Sequence, residues 1–225
     1  MAFQLRHFEG SIGHVVINGI ENDWILAYQY LYTARINLCF LKGTFSKGLL
    51  LVPFLESMLE KHALFIDDHR VLVFYYKIAC LYFGNGQYEQ AIDYLNRIIH
   101  QKPGLRNDLQ CYARLLHLIA HYELGNLELL EYLGKSVYRF MGRMQNLSQV
   151  ELAIFDFLKK AIRAGTKSLK QVFKELHQTI QPLQHQPGES RAFAYLDILT
   201  WLESKINGKK IQELVRQKYL SKQST

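Results

Sequence analysis

Between Tyr75 and Pro103 the chain reads YYKIACLYFGNGQYEQAIDYLNRIIHQKP, and this stretch limits the possible folds more than any other. Large and small apolar residues alternate at the 3.6-residue spacing of an amphipathic helix, break once at Gly86 and stop at Pro103. Tyr75, Ile78 and Ala79 share one face of a first helix that Tyr82 ends, while Tyr88, Ala91 and Leu95 form the packing face of a second. Ala79 and Ala91 leave room for the two helices to approach closely, with aromatic rings filling the space beside the contact. A unit of this kind, running from Leu72 to Pro103, cannot bury both of its faces, so it requires neighbours.

The rest of the chain has the same period. WILAYQYLYTARINLCFLKG from Trp24 reads as a helix with Gly43 just past its end. Pro53 kinks the following helix or starts its second part, and Asp67 or Asp68 is placed to cap the helix opening at His69. Helices are predicted from Asn107 to Leu124, ended by Gly125, and from Leu127 to Met144. Ser148-x-x-Glu151 and Ser168-x-x-Gln171 have the form of capping boxes. SRAFAYLDILTWLESK, ended by Asn207-Gly208, is amphipathic, and a last helix in KKIQELVRQKY is polar enough to be marginal. No alternating strand pattern flanked by hairpin turns occurs. The expected class is all-α.

The Tyr75–Pro103 unit resembles the tetratricopeptide (TPR) repeat, through Ala79, Tyr82, Gly86, Tyr88, Ala91, Leu95 and Pro103, with Ile98 departing from the family's small residue. Weaker echoes surround Gly43 and Gly125, at spacings longer than the family's 34 residues. The resemblance is specific for one unit, extends over 24–141, and implies a right-handed α-α superhelix of antiparallel hairpins. Residues 147–221 continue or cap that stack within one domain, 1–225. The glycine-broken residues before Trp24 supply no polar capping helix, which predicts a stack continued upstream.

Composition narrows the classes further. Cys39, Cys80 and Cys111 sit singly in apolar stretches with no CxxC, which argues for free buried thiols in a reducing compartment. The N-terminus has no signal-peptide core, and GLLLVPFL is too short to span a bilayer, so a soluble cytoplasmic protein is expected. The formal charge of +7 is carried entirely by residues 142–225, since residues 1–141 hold 13 basic and 13 acidic residues.

Candidate sites follow. The TPR resemblance implies a concave groove, with Tyr30, Asn37, Tyr76, Tyr112 and Tyr122 as its wall. Such a groove suits an apolar or helical peptide. The same residues are equally core, if the C-terminal helices fold back over them. His117 and His121 are four apart on one helix face, a metal-binding spacing, but HExxH is missing and no third ligand is evident beyond Glu123. Asp67, Asp68, His69 and Arg70 lack a partner nucleophile. No catalytic residue, metal or cofactor is assigned. Lys159, Lys160, Arg163, Lys167, Lys170 and Lys174 form a positive stripe for nucleic acid if the helices either side of Gly165 stay in line; a solvated lysine face is the other reading. The expectation is a non-enzymatic scaffold for a protein or peptide partner, with self-association through the stack ends as a variant and nucleic-acid binding as the alternative.

Overall fold

The computed structural model of the chain describes residues 21–102, 104–143, 148–163, 166–187, 189 and 197–223. The proposed upstream stack, Pro103, Gly165, the first part of the SRAFAYLDILTWLESK helix and the side chains of Lys167 and Ser168 lie outside the described residues. Within them the chain is all-α, built from α1 (Glu21–Lys42), α2 (Phe45–Leu49), α3 (Val52–Lys61), α4 (Asp68–Gly84), α5 (Tyr88–Ile99), α6 (Asn107–Glu123), α7 (Leu127–Arg143), α8 (Gln149–Arg163), α9 (Thr166–Ile180), α10 (Ile198–Asn207) and α11 (Ile211–Ser221). A 3₁₀ turn, Gln181–His185, follows α9.

Local chemistry sets most of these boundaries. Pro53 stands in the first turn of α3, where its missing N–H costs nothing. Asp67 caps α4 by accepting from the His69 amide at 2.7 Å, satisfying an end donor. Ser148 and Glu151 form a reciprocal capping box: the Ser148 amide donates to the Glu151 carboxylate (2.8 Å) and the Glu151 amide to Ser148 Oγ (3.2 Å). The buried Glu189 carboxylate accepts two further amides of the same helix start, from Gln149 and Val150. Asp197 caps α10 through the Thr200 amide.

The hairpins α1/α2–α3, α4/α5, α6/α7 and α8/α9 stack in chain order, each leading helix touching the next: α1 on α4, α4 on α6, α6 on α8. This is the arrangement of a helical-hairpin superhelix. In the central hairpin Ala79 and Ala91 are fully buried, and Tyr82 stacks on Tyr94 with ring centres 5.6 Å apart. Arg114 ties three helices together: it donates to the Ile99 carbonyl at the end of α5 and lies over the Phe140 ring of α7 at 3.6 Å.

α8 and α9 pack side by side rather than in line. Ala153, Asp156 and Lys160 of α8 and Val172, Leu176 and Thr179 of α9 line one shared cleft. A continuous lysine stripe across Gly165 is therefore corrected by the fold.

The last two helices break the stacking rule. α10 packs on α9, and α11 packs on α10 and returns to α1. Gly43, at φ 61°, ends α1 beneath α11; a Cβ there would lie 2.6 Å from the Arg216 amide nitrogen and 2.7 Å from the Gln212 carbonyl. Only glycine fits both that left-handed backbone and that close approach.

Candidate functional site

The five groove positions separate into two groups. Tyr30 and Asn37 on α1 are exposed, Tyr30 retaining 52% of its surface. Tyr76 on α4 and Tyr112 on α6 keep only 4% and 8%, and are core. Tyr122, at the end of α6, is partly buried within an aromatic cluster. The expectation of one continuous tyrosine groove is corrected accordingly at Tyr76, Tyr112 and Tyr122.

At Tyr122 the physical cause is α10. Ile198, Trp201 and Leu202 recur at helical spacing and are buried on the stack. Trp201 keeps 1% of its surface, and its ring meets Tyr122, Phe157 and Phe173 edge-on at 6.5, 5.7 and 5.6 Å. Its indole N–H donates to Glu123 Oε1 at 2.6 Å, and Lys205 donates to Glu123 Oε2 at 2.8 Å. Glu123, with 6% of its side chain exposed, is thus a doubly held carboxylate joining α6 to α10. That engagement also removes it as a companion ligand for the histidines. A cleft of about 560 Å³ remains where the α4–α5 turn faces the α10–α11 turn.

The open group forms a strip between α1 and α4. Along α1, Leu26, Tyr30, Asn37 and Leu41 are exposed at spacings of a single helix face. Opposite them, α4 contributes Arg70, Val73 and Lys77, all partly exposed. Arg70 Nη2 donates to the Tyr30 hydroxyl at 3.2 Å, with its guanidinium over that ring at 4.9 Å. Lys77 Nζ donates to Asn37 Oδ1 at 2.6 Å and sits over the Phe40 ring at 5.8 Å. Both cations rest on neutral acceptors, and among the described residues neither has a carboxylate partner. Burial lowers the Lys77 ammonium from its ordinary value, because part of its hydration is lost without a full counter-charge. An aromatic and aliphatic strip with two incompletely compensated cations is chemically suited to a peptide carrying apolar and acidic side chains.

Arg70 and Lys77 were absent from the sequence-based groove. Tyr76, the α4 member of that groove, is one residue out of phase; Arg70, Val73 and Lys77 follow the open face. The spacing of 70, 73 and 77 was available in the sequence, but the choice between adjacent faces depended on how the helices pack.

The remaining candidates have structural employment. His117 and His121 are both buried, with ring centres 4.5 Å apart, and Asn126 Nδ2 lies 3.1 Å from His121 Nδ1. Burial, with His121, His100 and Arg114 nearby, pushes the His117 imidazole down to about 4, and burial lowers His121 as well. Among the described residues no group of three or more His, Cys, Asp or Glu is gathered for a metal ion. The three cysteines form no disulfide and are partly buried; burial raises the Cys80 thiol to about 12 and the Cys111 thiol to about 11, which disfavours the thiolate of both at neutral pH.

Of the basic candidates, Lys159, Lys160, Arg163, Lys170 and Lys174 are exposed. Lys159 pairs with Asp156 at 3.4 Å. Lys160 lines the α8–α9 side of α8, whereas Lys159 and Arg163 line its α7 side. They serve different surfaces. Among the described residues no helix is long and apolar enough to cross a membrane.

Comparison with protein-family models, curated proteins and solved structures finds no match to any of them.

Proposed function

We propose that the chain is a non-enzymatic helical-hairpin scaffold that holds a peptide or protein partner on the open strip between α1 and α4. The observation that carries this reading is the pairing of Tyr30 with Arg70 and Asn37 with Lys77 on a face where Tyr30 and Asn37 stay exposed. The TPR resemblance of the central hairpin adds support, since proteins of that family are typically interaction scaffolds. A partner segment with apolar side chains would lie along Leu26, Tyr30, Val73 and Leu41, while acidic groups displace the weak neutral acceptors from Arg70 and Lys77. Exchanging a neutral acceptor for a carboxylate strengthens each hydrogen bond, because charge-assisted bonds are roughly twice as strong.

Capture from a lysate of the source organism, with wild type beside a Tyr30→Ala/Lys77→Glu variant of equal melting temperature, tests the proposal. A protein retained by wild type and lost from the variant is the expected outcome. Identical retention by both would remove the strip as the binding surface.

A further inference from the structure

A second surface, remote in sequence from the α1–α4 strip, has a different build. A groove of about 300 Å³ runs between α7 and α8. Leu130, Gly134 and Tyr138 form one wall, and Phe155, Leu158 and Ile162 the other. Each wall repeats every three to four residues, or about 5–6 Å along its helix. Tyr138 and Phe155 meet edge-to-face at 5.4 Å across it.

Gly134 is the unusual member. A glycine inside an α-helix costs roughly 1 kcal/mol relative to alanine, and the usual compensation is a close neighbour that a Cβ would strike. Here a Cβ would have no atom within 4 Å, so the glycine opens space instead of permitting contact. Beside this depression Tyr138 is exposed.

The rim carries three cations, Lys135, Lys159 and Arg163, of which Lys135 pairs Glu131 at 3.1 Å and Lys159 pairs Asp156 at 3.4 Å, both through exposed ion pairs of the kind that water and salt weaken. Lys159 extends over the Tyr138 ring at 5.6 Å. Arg163, at the α8 end, has no carboxylate partner among the described residues.

We infer that the α7–α8 groove is a docking site for an amphipathic helix of a partner protein, with large apolar side chains on its buried face and acidic residues flanking that face. Two antiparallel helices with ridges at helical spacing present a groove into which the side-chain ridge of a third helix packs. The Gly134 depression accepts one large anchor, and Lys159 and Arg163 meet the acidic flank. This site is independent of the α1–α4 strip.

The test is selection from a display library of helical peptides with a fixed leucine stripe and randomised flanking positions, using the whole chain as bait. Wild type is expected to enrich Asp and Glu at the flanks. Gly134→Trp, which fills open space, is expected to weaken the selected peptides at least tenfold, and Lys159→Glu/Arg163→Glu to reverse the flank preference to Lys and Arg. A Tyr30→Ala/Lys77→Glu bait is expected to select the same peptides as wild type, which separates failure here from failure of the strip. The inference is overturned if no peptide is enriched, if enrichment ignores flank charge, or if the selected peptides bind both groove variants unchanged. A concentration-dependent dimer that Gly134→Trp abolishes overturns it too, by assigning the groove to a second copy. Should Gly134→Trp fail to fold, the surface charge reversal decides alone.

Discussion

Tyr30 on α1 and Tyr112 on α6 occupy corresponding positions on leading helices of the stack, yet one keeps 52% of its surface and the other 8%. Both helices are followed by a turn glycine in the left-handed region. Tyr112 lies within the packed middle of the stack, and farther along the same helix α10 adds a cover through Trp201, which reaches Tyr122, Phe157 and Phe173. In a stacked-hairpin protein, a position's register says which way it points. What else crosses that face decides whether it becomes core or surface.

Trp201→Ala removes the ring that seals the covered half, and should have the largest effect: about 3–5 kcal/mol of stability, read as a fall in melting temperature of roughly 6–20 °C. A shift within 2 °C would mean that α10 rests on the stack without being part of its core, and the two halves would then differ less than their exposures suggest.

Acid should act next, and on the covered half first. The folded His117 imidazole titrates near 4 rather than near 6.5, so its neutral form is favoured by folding. Its contribution is fully present above pH 6.5, declines as pH falls from there to about 4, and changes no further below that. The expected loss is about 2–3 kcal/mol across this window, measured by denaturant titration at each pH, and reduced in His117→Gln. Equal stability at pH 7 and pH 4.5 would contradict the burial of this pair.

Tyr30→Ala should change stability least, by no more than about 0.5 kcal/mol, as expected for an exposed position. A loss above about 2 kcal/mol would show that the Arg70 contact supports the fold, and the strip would cease to resemble a binding surface.

What could be read from the sequence was mostly local. The Asp67 cap, the Ser148–Glu151 box and the turns at Gly43, Gly86 and Gly125 depend on residues a few positions apart, so their spacing carries the information. The hairpin order follows from those turns. The covered face could not be read in this way, because Trp201 and Glu123 are separated by 78 residues. For the same reason α11 read as marginal: its few buried residues, Ile211 and Leu214, understate a helix anchored by its fit over Gly43 and by the Lys218–Glu203 pair at 2.6 Å. The cations Arg70 and Lys77 fell outside the predicted groove because they first need a face to be left open. The lysine series misled through one assumption about Gly165, since a helical period continues on paper through a hairpin.

The seating of α11 on Gly43 brings the Ser46 amide to Gln212 Oε1 at 3.1 Å, across 166 residues. An open array of repeats has only neighbour terms, so it can grow from any point and fray from either end. This chain instead contains a loop closure of 166 residues, whose entropy must be overcome late in folding. During synthesis the first hairpin must wait for the final helix before that contact can form. Unfolding should accordingly run as one cooperative event, rather than as the stepwise loss of one hairpin after another.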